Sequence, residues 1–251
     1  MNEILAISLQ SMQGDMARLE QVAMNLANTM TPGYKRSVTM QSPVGASFAT
    51  QFGAIGASTE GTPTIAATRL DSSSDSRTGT LKFTGQPFDM ALAGKGFFEV
   101  TTANGPAYTR NGTFHLDARG RLVTDKGDAV AGVGGDITPG MSTPVIDSSG
   151  GVRTSAAADA PLQAQIKVVE FENTASMTRI GDGLFAPGAG MKQLAGEAVQ
   201  LRQGYLENSN VNSAREMTQL VVSMRHFETM QKVVQGYDDM LGNAIRKLGE
   251  N

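Results

Sequence analysis

The first thirty-odd residues and the last forty each carry an apolar seam, and a long Gly- and turn-rich middle separates the two. Leu5, Leu9, Met12, Met16, Leu19, Ala23 and Leu26 advance by alternating steps of four and three. That is the a/d track of a heptad, and such a track is buried only against another helix. Near the other end Met217, Leu220, Met224, Phe227, Val234, Leu241, Ile245 and Leu248 keep the same rhythm. Polar Gln231 and Asp238 interrupt it, with Met230 and Tyr237 beside them. These two sets of residues are the expected subunit-interface surface.

The first helix is expected to stop near Asn28, because Thr31, Pro32 and Gly33 supply a residue biased against helix, a ring without an N–H and a flexible turn. The closing helix is expected to open at Ser213, where Glu216 can complete a capping box. If it runs to Leu248 it measures roughly 50 Å at about 1.5 Å per residue. From residue 37 to 79 the chain is Ser, Thr, Ala and Gly with few bulky side chains, the composition of a linker.

Between residues 80 and 205 the period changes to two. Phe88, Met90 and Leu92 alternate with Asp89, Ala91 and Ala93, while Phe98 and Val100 flank Glu99 and Phe114 and Leu116 flank His115. A second run, Leu162, Ala164, Ile166 and Val168, alternates with Gln163, Gln165 and Lys167. Half-buried strands follow. Turns are expected at Asn104-Gly105, Asn111-Gly112, Arg119-Gly120 and Lys126-Gly127, giving an antiparallel meander. The fold class is therefore α+β: long, coiled-coil-like terminal helices flanking an antiparallel all-β middle. The boundaries fall at 1–36, 37–79, 80–205 and 206–251.

Zero Cys removes disulfides, thiolate metal ligands and cysteine nucleophiles together. With 21 basic against 24 acidic residues and no basic stripe, nucleic acid is not an expected partner. No positive n-region with an unbroken apolar stretch opens the chain, and no segment reaches the ~20 apolar residues that span a bilayer, so neither a cleaved leader nor membrane insertion is expected. His115 and His226, the only imidazoles, show no zinc spacing. Gly94-Lys95-Gly96 reads as a turn between strands, since no helix or third Gly of a phosphate loop follows. Gly132, Gly134, Gly135 and Asp136 lack the repeats of a calcium roll. Asp238 and Asp239 diverge by about 100° on a helix and do not converge on one substrate. No catalytic, cofactor-binding or metal residue and no cofactor is expected.

The stretch Asn25-Leu26-Ala27-Asn28-Thr29-Met30-Thr31-Pro32-Gly33-Tyr34-Lys35-Arg36 closely resembles the N-terminal signature of bacterial flagellar rod and hook proteins. Phe88 to Val100, and Tyr108-Thr109-Arg110-Asn111-Gly112 to Gly120-Arg121-Leu122, are similar to that family's β-domain opening and following hairpin. Gly204-Tyr205-Leu206-Glu207-Asn208-Ser209-Asn210-Val211-Asn212 resembles its entry to the C-terminal helix, which Arg225-His226-Phe227-Glu228 and Lys232-Val233-Val234 continue. Only residues 37–79 and 134–160 fall outside the resemblance.

The resemblance implies a non-enzymatic, structural subunit of the flagellar basal-body rod. Its terminal helices would assemble with other rod subunits and with copies of itself into an axial shaft that transmits torque. It also implies export by the flagellar type III apparatus without a cleaved signal, and residence in the rod across the periplasm. Within the family the chain looks most like a proximal-rod subunit, with a distal-rod subunit as runner-up. Outside the family, the alternative is a β-rich carbohydrate-binding or enzymatic module with helical oligomerisation ends. The isolated chain is expected to be frayed at both seams, unless the two helices pair within one molecule.

Overall fold

The computed structural model describes residues 2–41, 70–140, 144–155, 160–174 and 177–249. Antiparallel sheets fill the middle of the chain, with a helix towards each end: α1 over Asn2–Ala27 and α2 over Ser213–Gly249. At about 1.5 Å per residue they are about 39 Å and 55 Å long. The chain divides into two compact units. The first holds α1 up to Met24, the strand from Ser37 and α2 from Ala214, and the second holds Asn25–Arg36 and Ser74–Ser213.

In the first unit the described part of the expected linker is not featureless. Ser37–Gln41 and Leu70–Ser74 pair as a two-stranded ribbon. The Thr39 N–H donates to Gln21 Oε1 at 3.1 Å, which fixes the ribbon to α1. Residues 42–69 of that expected linker lie outside the described residues.

The second unit is built around the strand Phe97–Thr102. It pairs with Gly105–Thr109 on one side and with Ala129–Gly132 and Val168–Phe171 on the other. Phe97 and Phe98 are both buried, because successive side chains enter different clusters. Phe98 joins Met90, Leu92, Val100, Phe114, Leu122, Val130, Ile166, Val168 and Leu201. Phe97 joins Tyr108, Val169, Phe171, Met177 and Phe185, with Phe171 and Phe185 edge-on at 5.8 and 5.6 Å. Burying each such ring is worth about 1.5–3 kcal/mol. Met90–Leu92 and Phe97–Val100 are therefore covered on both faces rather than half-buried, whereas Phe114–Leu116 keeps the expected alternation with His115 exposed. In the second run Leu162 is exposed, while Ile166 and Val168 are in the core.

Three of the four expected turns connect paired strands. Gly105, Gly120 and Gly127 have φ of +115°, +72° and +88° at the connections between consecutive strands. Asn111-Gly112 does not make a hairpin turn. Met90 N–H donates to Gly112 O at 3.0 Å, and a Cβ on Gly112 would lie 1.6 Å from Met90 O, so that glycine serves close approach of two chain segments.

Candidate functional site

The two signature stretches at opposite ends of the sequence meet in the second unit, around a buried group of charges. α1 ends at Ala27, where Thr29 Oγ1 donates back to Leu26 O at 2.9 Å. The chain then turns through Gly33, whose φ is +68°. The Gly33 N–H donates to Glu207 O at 2.7 Å, and a Cβ there would sit 2.3 Å from the Arg110 carbonyl carbon. Only glycine meets both conditions. This turn delivers Tyr34 and Lys35 into the protein: both are buried, with Tyr34 Oη donating to Asn25 Oδ1 at 3.2 Å.

Lys35 Nζ donates to Glu207 Oε1 at 2.6 Å and to Arg77 O at 2.9 Å. Arg110 Nη1 donates to Glu207 Oε2 at 3.1 Å and to Leu92 O at 3.2 Å, and its Nη2 donates to Gly94 O at 2.9 Å. The Gly79 N–H completes the carboxylate shell at 2.8 Å. Lys35, Arg110 and Glu207 are 2%, 4% and 1% exposed. Burial pushes both the Lys35 ammonium and the Arg110 guanidinium below their ordinary ranges, and the Glu207 carboxylate pulls each back towards the charged form. Glu207 thus holds two buried cations that come from 172 and 97 positions away in sequence.

Asn210 extends the fastening. Its Oδ1 accepts from the Arg36 N–H at 2.6 Å, and its Nδ2 donates to Asp75 O and Arg77 O at 3.0 and 2.8 Å. On the other side of Tyr34, Arg179 lies over the Tyr34 ring at 4.7 Å and the Phe185 ring at 5.3 Å. It also donates to Ser74 Oγ at 3.0 Å and to Lys35 O.

In the first unit the expected seam residues divide between two faces. Met12 and Leu19 are half-buried, as are Leu220, Phe227 and Val234, and so is Leu26 in the second unit. Leu9, Met16 and Ala23 are exposed, as are Met217, Met224 and Leu241. The side chains of Leu5, Ile245 and Leu248 lie outside the described residues. The covered stripe of α1 runs Ser8, Met12, Asp15, Leu19 and Val22. That of α2 runs Glu216, Leu220, Ser223, Phe227, Met230, Val234 and Tyr237, passing beside Gln231 and Asp238 rather than through them. Each keeps the four-three rhythm, but every second member is the residue just before the expected one. The helices meet within one chain: His226 Nδ1 and Asp15 Oδ2 are 2.5 Å apart.

His115 is exposed, with Nδ1 3.9 Å from Asp125 Oδ1. Among the described residues no group of three or more His, Cys, Asp or Glu could hold a metal ion, and no helix is long and apolar enough to cross a membrane. An open hollow of about 500 Å³, lined by residues such as Ser148, Ser149, Glu197, Gln200 and Arg202, contains no imidazole. Lys35, Arg110 and Glu207 stand in the three signature stretches, and nothing local in the sequence shows that their charges converge. The one available signal was a basic residue in two signature stretches and an acid in the third.

Such a site fastens chain segments together, and the class it defines is a structural subunit with a β-rich middle and a helix towards each end of its sequence. Residues 202–247 match the family described as flagellar basal body rod FlgEFG protein C-terminal, and residues 91–181 match the flagellar hook protein FlgE/F/G D1 domain. The chain is 31% identical to the flagellar basal-body rod protein FlgG of Bacillus subtilis, over 94% of this chain and 96% of that protein. It is 32% identical to FlgF of Salmonella typhimurium over 90% of both chains, and 28% identical to FlgF of Rhizobium meliloti over 98% and 97%. The chain belongs to the flagellar basal-body rod protein family. It is a structural component of the rod of the bacterial flagellum.

Proposed function

We propose that the chain is a non-enzymatic subunit of the proximal rod, and that its helices join copies of itself and neighbouring rod proteins into a coiled-coil-like axial shaft that carries torque. The observation that supports this is the second apolar stripe on each helix: Leu9 and Met16 on α1, and Met217 and Met224 on α2, face away from the covered stripe. A paired helix with a second uncovered apolar stripe needs a second helical neighbour. The interface residues are therefore those at which the expected seam leaves the covered stripe. Export through the flagellar type III apparatus and a periplasmic position in the rod complete the reading.

Relatives named FlgF and FlgG match at nearly equal identity, so the preference for the proximal position rests on the run from Arg225-His226-Phe227-Glu228 to Asp238-Asp239 and on the short segment that follows the first helix. Deletion of the gene from the source bacterium should abolish swimming. Tagged protein should be present in rods arrested before distal growth. Detection only after the distal rod has formed moves the subunit to the distal position, and normal swimming in the deletion strain overturns the reading altogether.

A further inference from the structure

Phe83 is 67% exposed, yet its ring is held in place. It pairs across the short ribbon Leu81–Phe83 and Tyr205–Glu207 with Tyr205, ring centroids 5.2 Å apart and edge-on. Gly85 and Gly204, at φ of +72° and +75°, flank that ring, where a Cβ on either would make ordinary contact with it at 3.6 or 3.5 Å. Arg202 stands 5.8 Å from the Tyr205 ring centroid and forms no ion pair among the described residues, nor does exposed Lys82 beside Phe83. A fixed, exposed aromatic ring with unpaired cations beside it has the character of an interaction anchor.

The same chain carries a surface of opposite charge. On α2, Val233, Gly236 and Met240 share one face by their spacing of three and four; all three are exposed, Met240 at 62%. Asp239 borders that face and Asp238 precedes it; neither forms an ion pair among the described residues. Among the described residues nothing beyond the helix's own backbone lies within 4 Å of a Cβ built on Gly236. Glycine in a helix interior costs about 1 kcal/mol relative to Ala, and packing among the described residues supplies no reason for it.

We propose that the Phe83–Tyr205 patch of one copy takes the Gly236–Met240 face of α2 from a second copy. Phe83 enters the notch over Gly236 against the Met240 thioether, and Arg202 pairs with Asp239. Each copy carries both patches, one in each unit, so every copy offers both halves of the contact. This rests on the reading that the chain assembles with copies of itself, and it adds a contact outside the helical stripes.

The chain has no Cys, so single thiols report the contact cleanly. Phe83→Cys and Met240→Cys copies, carrying different tags, are co-expressed in the deletion strain, and isolated basal bodies are oxidised with copper phenanthroline. The expected result is a disulfide-linked dimer bearing both tags, absent when either variant is expressed alone. Arg202→Glu in the Phe83→Cys copy should lower its yield at least tenfold, and Asp239→Arg in the Met240→Cys copy should restore it. Exclusion of a variant from rods while its purified form keeps the parental melting curve also supports the contact, because both positions are exposed. Swimming cells whose rods contain both variants but yield no mixed dimer overturn the contact and leave the rod reading intact. Absence of the unmodified chain from basal bodies overturns both.

Discussion

Lys35 Nζ and Glu207 Oε1 lie 2.6 Å apart although 172 residues separate them in sequence. The lysine follows the turn after the first helix, and the carboxylate lies six residues before the second begins at Ser213. The pair thus joins the two chain stretches from which the helices grow. Because both groups are buried and Arg110 shares the carboxylate, the three charges stand or fall together.

Glu207→Gln keeps the shape of the side chain but leaves Lys35 and Arg110 buried without a counter-charge. Removing one partner from a buried ionic group costs about 3–5 kcal/mol. Urea unfolding of the purified chain should show a loss of that size. A loss under about 1 kcal/mol would mean that the cations find other partners.

Gly33→Ala should be worse than Gly120→Ala. Both positions have positive φ, at +68° and +72°, but a Cβ on Gly120 meets nothing within 4 Å whereas one on Gly33 runs into the Arg110 backbone. Gly120, with open space where the Cβ would go, should lose only the left-handed strain, about 1–2 kcal/mol. Equal melting temperatures for the two variants would remove the steric role of Gly33.

Acid should destabilise the chain in a definable window. The Asp75 and Asp117 carboxyls are held below their ordinary value, Asp75 chiefly by the Arg77 side chain and Asp117 chiefly by the Arg121 N–H. Burial pushes Asp147 up, but hydrogen bonds from Ser149, Gly151 and Arg153 outweigh it and leave that carboxyl low as well. A depressed carboxyl binds protons more readily in the unfolded chain, so its stabilisation is complete above the ordinary value of 3.8 and is lost as pH falls through the folded value. Melting temperature followed downwards from pH 5 should drop below that point. Asp147→Asn, which keeps an acceptor for the Ser149 and Gly151 N–H groups, should flatten the drop. An unchanged slope would show that Asp147 does not contribute.

Met16→Glu and Met224→Glu place a charge on the outward stripes. Both positions are exposed, at 60% and 47%, so stability should change by no more than about 0.5 kcal/mol while entry into rods is lost. Val22→Glu, on the covered stripe, should instead unfold the helical unit. Normal rods with either methionine variant would show that the outward stripes have no neighbour.

Much of this architecture is legible in the sequence because its signals are local. Pro32 and Gly33 end the first helix close to where it stops at Ala27, and the second starts at Ser213 as its sequence suggests. The period-two runs locate strands, but the half-buried reading fails at Phe97 and Phe98 because sequence alternation does not reveal that a second layer covers the other face. The seam registers are offset for a related reason. Leu9 and Met16 continue an apolar rhythm that predicts burial, but Ser8 and Asp15 take the covered positions, and Asp15 does so with His226 as its partner. The Lys35–Glu207–Arg110 cluster was not legible at all, since each residue is an ordinary charged letter until tertiary folding brings it to the others.

Basal bodies purified from swimming cells of the source bacterium, with the tagged chain located by gold labelling in the electron microscope, test the central claim most directly. The account expects label along the rod shaft, present in the parent and missing from the Met224→Glu variant. Motile cells whose basal bodies carry no label on the rod would contradict it.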